Sequence, residues 1–94
     1  MNELNVERPD EKATVALFAE QMTGQLINHR SKGDWHQLTV PQVLSKIREQ
    51  VHEAEQAYND MTHGKASEEL VLRKCVNGAN YFMILADHIG ALQP

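Results

Sequence analysis

Hydrophobic positions recur with helical spacing in three segments of the chain. In the first segment the apolar residues are three or four positions apart, at Val15, Phe18, Met22 and Leu26. This spacing predicts an amphipathic helix from Glu11 to Arg30, with Asp10 as its N-cap. The residues before it are mostly polar, so 1–10 is expected to be a leader and 11–94 a single helical domain.

A second helix is predicted to begin after Thr39. Thr39 and Gln42 have the spacing of a capping box, and Pro41 is tolerated in a first helical turn. The apolar positions that follow alternate spacings of three and four, at Leu44, Ile47, Val51, Ala54, Tyr58 and Met61. Such a series is typical of the seam of a helical bundle, and Gly64 is expected to end the helix.

A third helix is predicted from the N-cap Ser67 to about Ile89, before Gly90. Glu68 and Glu69 suit the positive end of its dipole. Its apolar positions cover more than a narrow stripe: Val71, Cys75, Ala79, Phe82, Leu85, Ala86 and Ile89. This helix is therefore expected to be buried on more than one side, with Cys75 as a buried structural thiol.

The predicted fold class is all-α, because no period-two run of β-branched residues competes with the helices. Three main helices are expected, and the second and third should form a hairpin that completes a four-helix-type bundle by oligomerisation. A 94-residue domain buries only about 60–65% of the surface that its unfolded chain exposes. Pairing with further copies, as a homodimer or a higher oligomer, would enlarge that thin core.

Composition narrows the classes of partner. Nine Lys and Arg against 13 Asp and Glu give a net charge of −4, which argues against a nucleic acid polymer as partner. A single cysteine excludes an intramolecular disulfide and favours a reducing compartment, so the cytoplasm is expected. The leader has no apolar stretch of the signal-peptide kind, and the longest apolar run, from Tyr81 to Ala86, is too short to span a membrane.

The segment between the first two helices carries candidate ligand-binding residues. Arg30 and Lys32 could neutralise phosphates, Gly33 permits close backbone approach, and the ring of Trp35 could stack on a base. A tryptophan after a turn can equally be a plug of the core.

Polar residues on the other two helices allow similar alternatives. Glu49 and Glu53 are one turn apart and could converge on a cation, or could simply lie on a solvated face with Lys46, Gln50 and Asp60. On the third helix one face carries Lys74, Asn77, Tyr81 and His88. That face is either a pocket wall or an exposed face with a salt bridge. The five histidines have no zinc-binding spacing and are interpreted as unrelated.

Three motifs follow one another along the chain: Asn28-His29-Arg30-x-Lys32-Gly33-x-Trp35, Leu44-x-x-Ile47-Arg48-Glu49-x-Val51-x-Glu53 and Ala79-Asn80-Tyr81-Phe82-Met83-x-Leu85-Ala86-Asp87. From His29 to Asp87 the chain resembles the MazG-like all-α nucleotide pyrophosphohydrolases. The resemblance implies a helical hairpin that dimerises. In active members, Mg²⁺ held by acidic side chains assists attack of water on a nucleoside triphosphate, releasing pyrophosphate.

The chain departs from the acidic signature of that family, which is Glu-Glu-x-x-Glu on the second helix and Glu-x-x-Asp on the third. These motifs fall on residues 49–53 and 74–77, where only Glu49 and Glu53 remain acidic. Gln50 and Asn77 are neutral, and Lys74 places a cation where a carboxylate is expected. Lys74 is therefore expected to act as a counter-ion to Glu49 and Glu53 in place of the metal.

The favoured hypothesis is a nucleotide-binding protein with impaired or lost hydrolysis. Its expected ligand-binding residues are Arg30, Lys32, Trp35, Lys74, Asn77, Asn80 and Tyr81. The first alternative is an active Mg²⁺-dependent pyrophosphohydrolase with Glu49 and Glu53 as catalytic and metal-binding residues, helped by Asn77, Asn80 or Asp87. The second alternative is a purely structural or regulatory helical oligomer.

Overall fold

The fold was described from a computed structural model, which defines residues 10–30 and 35–92. The elements are α1 (Glu11–Asn28), a short 3-10 helix (Trp35–Gln37), α2 (Val40–Thr62) and α3 (Glu68–His88). No strand occurs in these described ranges. The predicted all-α class with three main helices is therefore confirmed. None of the helices in the described ranges combines the length and apolar character needed to cross a membrane.

Each helix begins at the cap that local sequence predicts. The Asp10 side chain accepts a hydrogen bond from the Ala13 amide at 2.7 Å. Thr39 and Gln42 form a complete capping box, and the Ser67 hydroxyl accepts from the backbone amide three residues on. These bonds satisfy amides that have no partner within the helix, so they fix where each helix starts.

The helix ends differ slightly from those predicted. α1 ends two residues early, at Asn28, followed by the C-cap His29. Gly64 and Gly90 follow the ends of α2 and α3 with φ of 73° and 80°, the left-handed conformation in which glycine avoids a steric penalty.

α2 and α3 form an antiparallel hairpin joined by residues 63–67. Residues that rise in number along α2 meet residues that fall along α3, as in the pairs Val43 with Ile84 and Glu53 with Lys74. The main core lies where the start of α2 meets the end of α3. Val43, Ile47 and Ile84 are buried there, and partly buried residues pack against them: Trp35, Leu38, Tyr81, Met83 and Leu85.

The predicted seam of α2 is only partly correct. Ile47 is buried, but Leu44, Val51 and Tyr58 are exposed. Val43 and Ala57, each one residue before an exposed seam position, are buried instead. Successive side chains of a helix differ by about 100° in direction. α3 therefore packs beside the predicted seam, against the residues that precede it.

α1 packs against α3 and not against α2, within the described residues. Because α3 contacts both other helices, the prediction that it is buried on more than one side is confirmed. α1 itself has no buried residue. The predicted burial of Cys75 is wrong, since its side chain is exposed. It lies on a part of α3 that neither α1 nor α2 covers.

The molecule is flat. Its radius of gyration is 15.6 Å, whereas about 12 Å is expected for a compact domain of this length. Its shortest dimension is 22 Å, about the thickness of two packed helices. Much apolar side-chain surface consequently remains in contact with solvent, as the exposed leucine, valine and aromatic side chains show.

Candidate functional site

An ion pair links α2 and α3 at the positions where the resemblance expects acids. Lys74 Nζ lies 2.8 Å from Glu53 Oε1, with side-chain exposures of 25% and 41%. The expected pairing of Lys74 with Glu53 is therefore present. Glu49, the other expected partner, lies 4.0 Å from Lys46 on its own helix, where both groups are exposed. Lys74 is thus a counter-ion to Glu53 but not to Glu49.

Gln50 and Asn77 lie next to this ion pair along α2 and α3. These two amides, Glu53 and Lys74 together are called the polar layer. Gln50 and Glu53 are half-buried, whereas Lys46 and Glu49 lie on the solvated face that was the alternative for α2. Asn77 of α3 is also half-buried. Gln50 Oε1 is buried and has no hydrogen-bond partner among the described residues. Its Cβ also lies 3.6 Å from where a Cβ on Gly78 would stand.

The polar layer does not fit the Mg²⁺ ion that the resemblance implies. Mg²⁺ requires near-octahedral oxygen ligands, and it is usually bound through carboxylates. Here one carboxylate is held by an ammonium group, and Gln50 and Asn77 can offer only neutral amide oxygens. Across residues 10–30 and 35–92, no group of three or more His, Cys, Asp and Glu side chains is arranged to hold a metal.

Asn80 ties α3 to α1. It is only 5% exposed, and its Nδ2 donates to the Met22 carbonyl at 3.1 Å. That bond fixes the orientation of the amide, because the opposite orientation would place two oxygens against each other. Asn80 Oδ1 therefore points away from Met22, and it is buried without a partner in the described chain.

Replacing Asn80 with alanine is expected to loosen α1 selectively. A single buried hydrogen bond contributes about 1 kcal/mol, so amide hydrogen exchange in α1 should accelerate about fivefold. Exchange in α2, which does not touch α1, should stay unchanged. Hydrogen-exchange mass spectrometry measures both helices in one experiment. Thr23→Ala, which removes a local bond within exposed α1, is the control. Equal acceleration in α1 and α2 would contradict the assignment of Asn80 as the tie.

Trp35 belongs to the core more than to an open binding surface. Its side chain packs against the Val43, Ile47 and Ile84 cluster. The ring is tilted against His36, with centroids 5.2 Å apart. Nε1 is buried without a partner in the described residues. Of the two interpretations left open by the sequence, the core plug agrees with this packing.

The remaining predicted binding residues are dispersed. Tyr81 packs against the same core cluster as Trp35. Arg30 is exposed just beyond α1, and Lys32 and Gly33 lie outside the described residues. The structure thus brings Lys74, Asn77 and the acid Glu53 to one interface, places Asn80 beneath α1, and leaves Arg30 at the surface.

A contact that the sequence did not reveal fastens the 3-10 helix to the end of α3. His88 donates from Nε2 to the Leu38 carbonyl at 2.6 Å. His36 Nε2 lies 3.6 Å from Asp87 Oδ2. The prediction that the histidines are unrelated is therefore wrong for His36 and His88, because both contribute to the same junction between the 3-10 helix and α3. The partners are about 50 positions apart, so no local spacing signals the contact.

Comparison of the chain with models of protein families, with curated proteins and with solved structures gives no match. The likeness to MazG-like proteins accordingly remains a resemblance based on the three motifs.

Proposed function

We propose that this is a MazG-like helical protein that binds a nucleotide or a nucleotide-derived ligand and has lost metal-dependent pyrophosphohydrolysis. The ion pair between Lys74 and Glu53 carries this proposal. It places an ammonium group on the carboxylate that a metal would use, at 2.8 Å. A cation entering there would have to displace Lys74 and meet its repulsion, with amides rather than carboxylates as the remaining ligands.

Buried polar atoms without partners, which lie at three separate places in the fold, support a ligand at one of them. They comprise one donor, Trp35 Nε1, and two acceptors, Gln50 Oε1 and Asn80 Oδ1, counted over the described part of the chain. Leaving such an atom unsatisfied costs about 1–3 kcal/mol, so each is expected to meet a ligand or a water. Nucleobases offer both donors and acceptors, and the cationic Arg30 and Lys32 suit the phosphates.

Thermal-shift and product assays on a nucleotide panel, each with and without Mg²⁺, test this proposal. Binding at about 100 times the dissociation constant should stabilise the fold by about 2.7 kcal/mol, and metal should not be needed. Pyrophosphate release should stay at background. Turnover that Glu53→Gln abolishes would establish the active enzyme instead. No shift with any nucleotide would leave the structural oligomer.

Variants of the polar layer sharpen the test. Exchanging Gln50 and Lys74 for glutamate and Asn77 for aspartate gives the acid set of the resemblance. This triple variant should be less stable than the parent without metal, because like charges crowd one interface, and it should gain a Mg²⁺-dependent thermal shift. Lys46→Glu adds an acid on the exposed side of α2 and is the matched control. An equal Mg²⁺ response from both would contradict a specific site.

The proposal also includes self-association, as a homodimer or a higher oligomer, and action in the cytoplasm. The flat shape and the exposed apolar side chains support self-association. The single cysteine, Cys75, which is exposed, suits a reducing compartment.

A further inference from the structure

We propose that the face of the α2–α3 hairpin opposite α1 is the self-association surface, and that a second copy of this chain covers it. This inference rests on the self-association part of the proposed function. It does not depend on which ligand is bound.

Three consecutive residues of α3 show where that face lies. Tyr81 points towards α2 and packs in the main core. Asn80, one residue earlier, points towards α1 and bonds to its Met22 carbonyl. Phe82, one residue later, is turned about 100° the other way and is 58% exposed. Phe82 therefore lies on the side of α3 away from α1.

Residues of α2 extend the same face. Gln50 and Ala57 face α3. The residues that follow them, Val51 and Tyr58, are more than half exposed, at 52% and 57%. Because α2 and α3 are antiparallel, a step of one residue along either helix turns towards the same side of the hairpin. The apolar face is thus defined by six residues: Leu44, Val51, Tyr58, Cys75, Phe82 and Ile89.

The spacing on this face suits helix-to-helix packing. The three residues on each helix are seven apart, which keeps one edge of a helix against a partner. All six are exposed in the single chain. None is charged. An uncharged face of this kind is not expected to remain in contact with solvent.

Gly78 is a second, independent indication. It lies in the interior of α3 beside Gln50, next to the middle of the face. Glycine is a poor helix former, yet its φ is not positive, and an added Cβ would make only an ordinary 3.6 Å contact within the chain. Packing inside one copy therefore does not require glycine at this position. The absence of a side chain beside the face leaves room for a helix of a second copy to approach closely.

The area and the bordering charges favour a second copy of the same chain. Two adjacent helices of about 20 residues present a projected face of about 600 Å². The accessible area of such a ridged face is larger, and so approaches the roughly 800 Å² per partner of stable complexes. Arg48 and Glu55 are exposed, carry opposite charges and lie seven residues apart at the border of the apolar face on α2. If two copies pack antiparallel, Arg48 of one copy would lie beside Glu55 of the other.

Sedimentation equilibrium of the full chain tests the surface. The parent should have at least twice the 10.7 kDa mass of one chain at micromolar concentration. Val51→Lys should weaken association at least a hundredfold, because it buries a charge in the interface. Leu17→Lys, on an exposed position of α1, is the matched control and should associate like the parent. Circular dichroism establishes that both variants remain helical.

Glycine variants give an independent measurement. Gly78→Ala should weaken association at least tenfold while raising the helicity of the chain. Gly24→Ala, where an added Cβ meets nothing within 4 Å, should raise helicity without affecting association. A monomeric parent, or dissociation by Leu17→Lys rather than Val51→Lys, would overturn the proposal. A nucleotide-induced thermal shift retained by monomeric Val51→Lys would show that ligand binding stands apart from this surface.

Discussion

Replacing Ile84 with alanine is expected to lower the free energy of unfolding by about 3 kcal/mol. Ile84 is 3% exposed and completes the cluster with Val43 and Ile47. Truncation removes three methyl or methylene groups and leaves a cavity that the two helices cannot fully close. The loss is a large fraction of the roughly 5–15 kcal/mol that stabilises a domain. Urea unfolding followed by circular dichroism measures it.

Leu17→Ala is the control for this substitution, because Leu17 is 66% exposed. Its free energy of unfolding should stay within about 0.5 kcal/mol of the parent value. Both variants must be compared at one protein concentration, since association adds to the apparent stability. Similar losses for the two variants would contradict a core centred on Ile84.

Trp35→Ala is expected to cost about 3 kcal/mol in the free energy of unfolding, because the indole packs over the main core. Trp35→Phe should cost about 1 kcal/mol or less. Phenylalanine retains an aromatic ring against the cluster, and it removes the buried Nε1 hydrogen that has no partner in the described residues. Urea unfolding measures the free energy of unfolding of both variants. The alanine variant reports the loss of the ring, and the phenylalanine variant reports mainly the loss of the Nε1 hydrogen.

The phenylalanine variant also separates packing from ligand binding. If a nucleotide accepts a hydrogen bond from Nε1, Trp35→Phe should weaken that nucleotide at least fivefold while the protein stays folded. Isothermal titration with the nucleotide that gave the largest thermal shift measures the change. Unaltered affinity would assign Trp35 to the core alone. A loss of stability equal to that of the alanine variant would contradict the proposed packing of the ring.

The helix boundaries could be predicted because their causes are local. Asp10, Thr39 and Ser67 each bond to an amide three residues on, and such bonds depend on short spacing alone. The contact line of α2 could not be predicted as well. Periodicity gives the spacing of apolar residues, but a helix with apolar positions on two lines offers two choices. The line through Val43 faces α3, and the line through Val51 stays exposed.

In the candidate site too, some contacts could be predicted from the sequence and others could not. The ion pair of Lys74 with Glu53 could be predicted, because the resemblance aligns the two residues across one hairpin. The His88 contact with the Leu38 carbonyl could not, because it depends on where the 3-10 helix meets α3. Neither could the sequence decide between the two roles of Trp35, since that depends on the packing of residues distant in the chain.

The short connection between α2 and α3 determines the order in which the fold can assemble. The Glu53–Lys74 contact closes a loop of 21 residues, whereas the Asn80–Met22 contact closes one of 58. The longer closure costs about 1 kcal/mol more in chain entropy, and α1 offers no buried side chain in return. The hairpin is therefore expected to fold first and α1 to dock last. On a ribosome α1 is made first, so it must wait, undocked, until α3 has emerged.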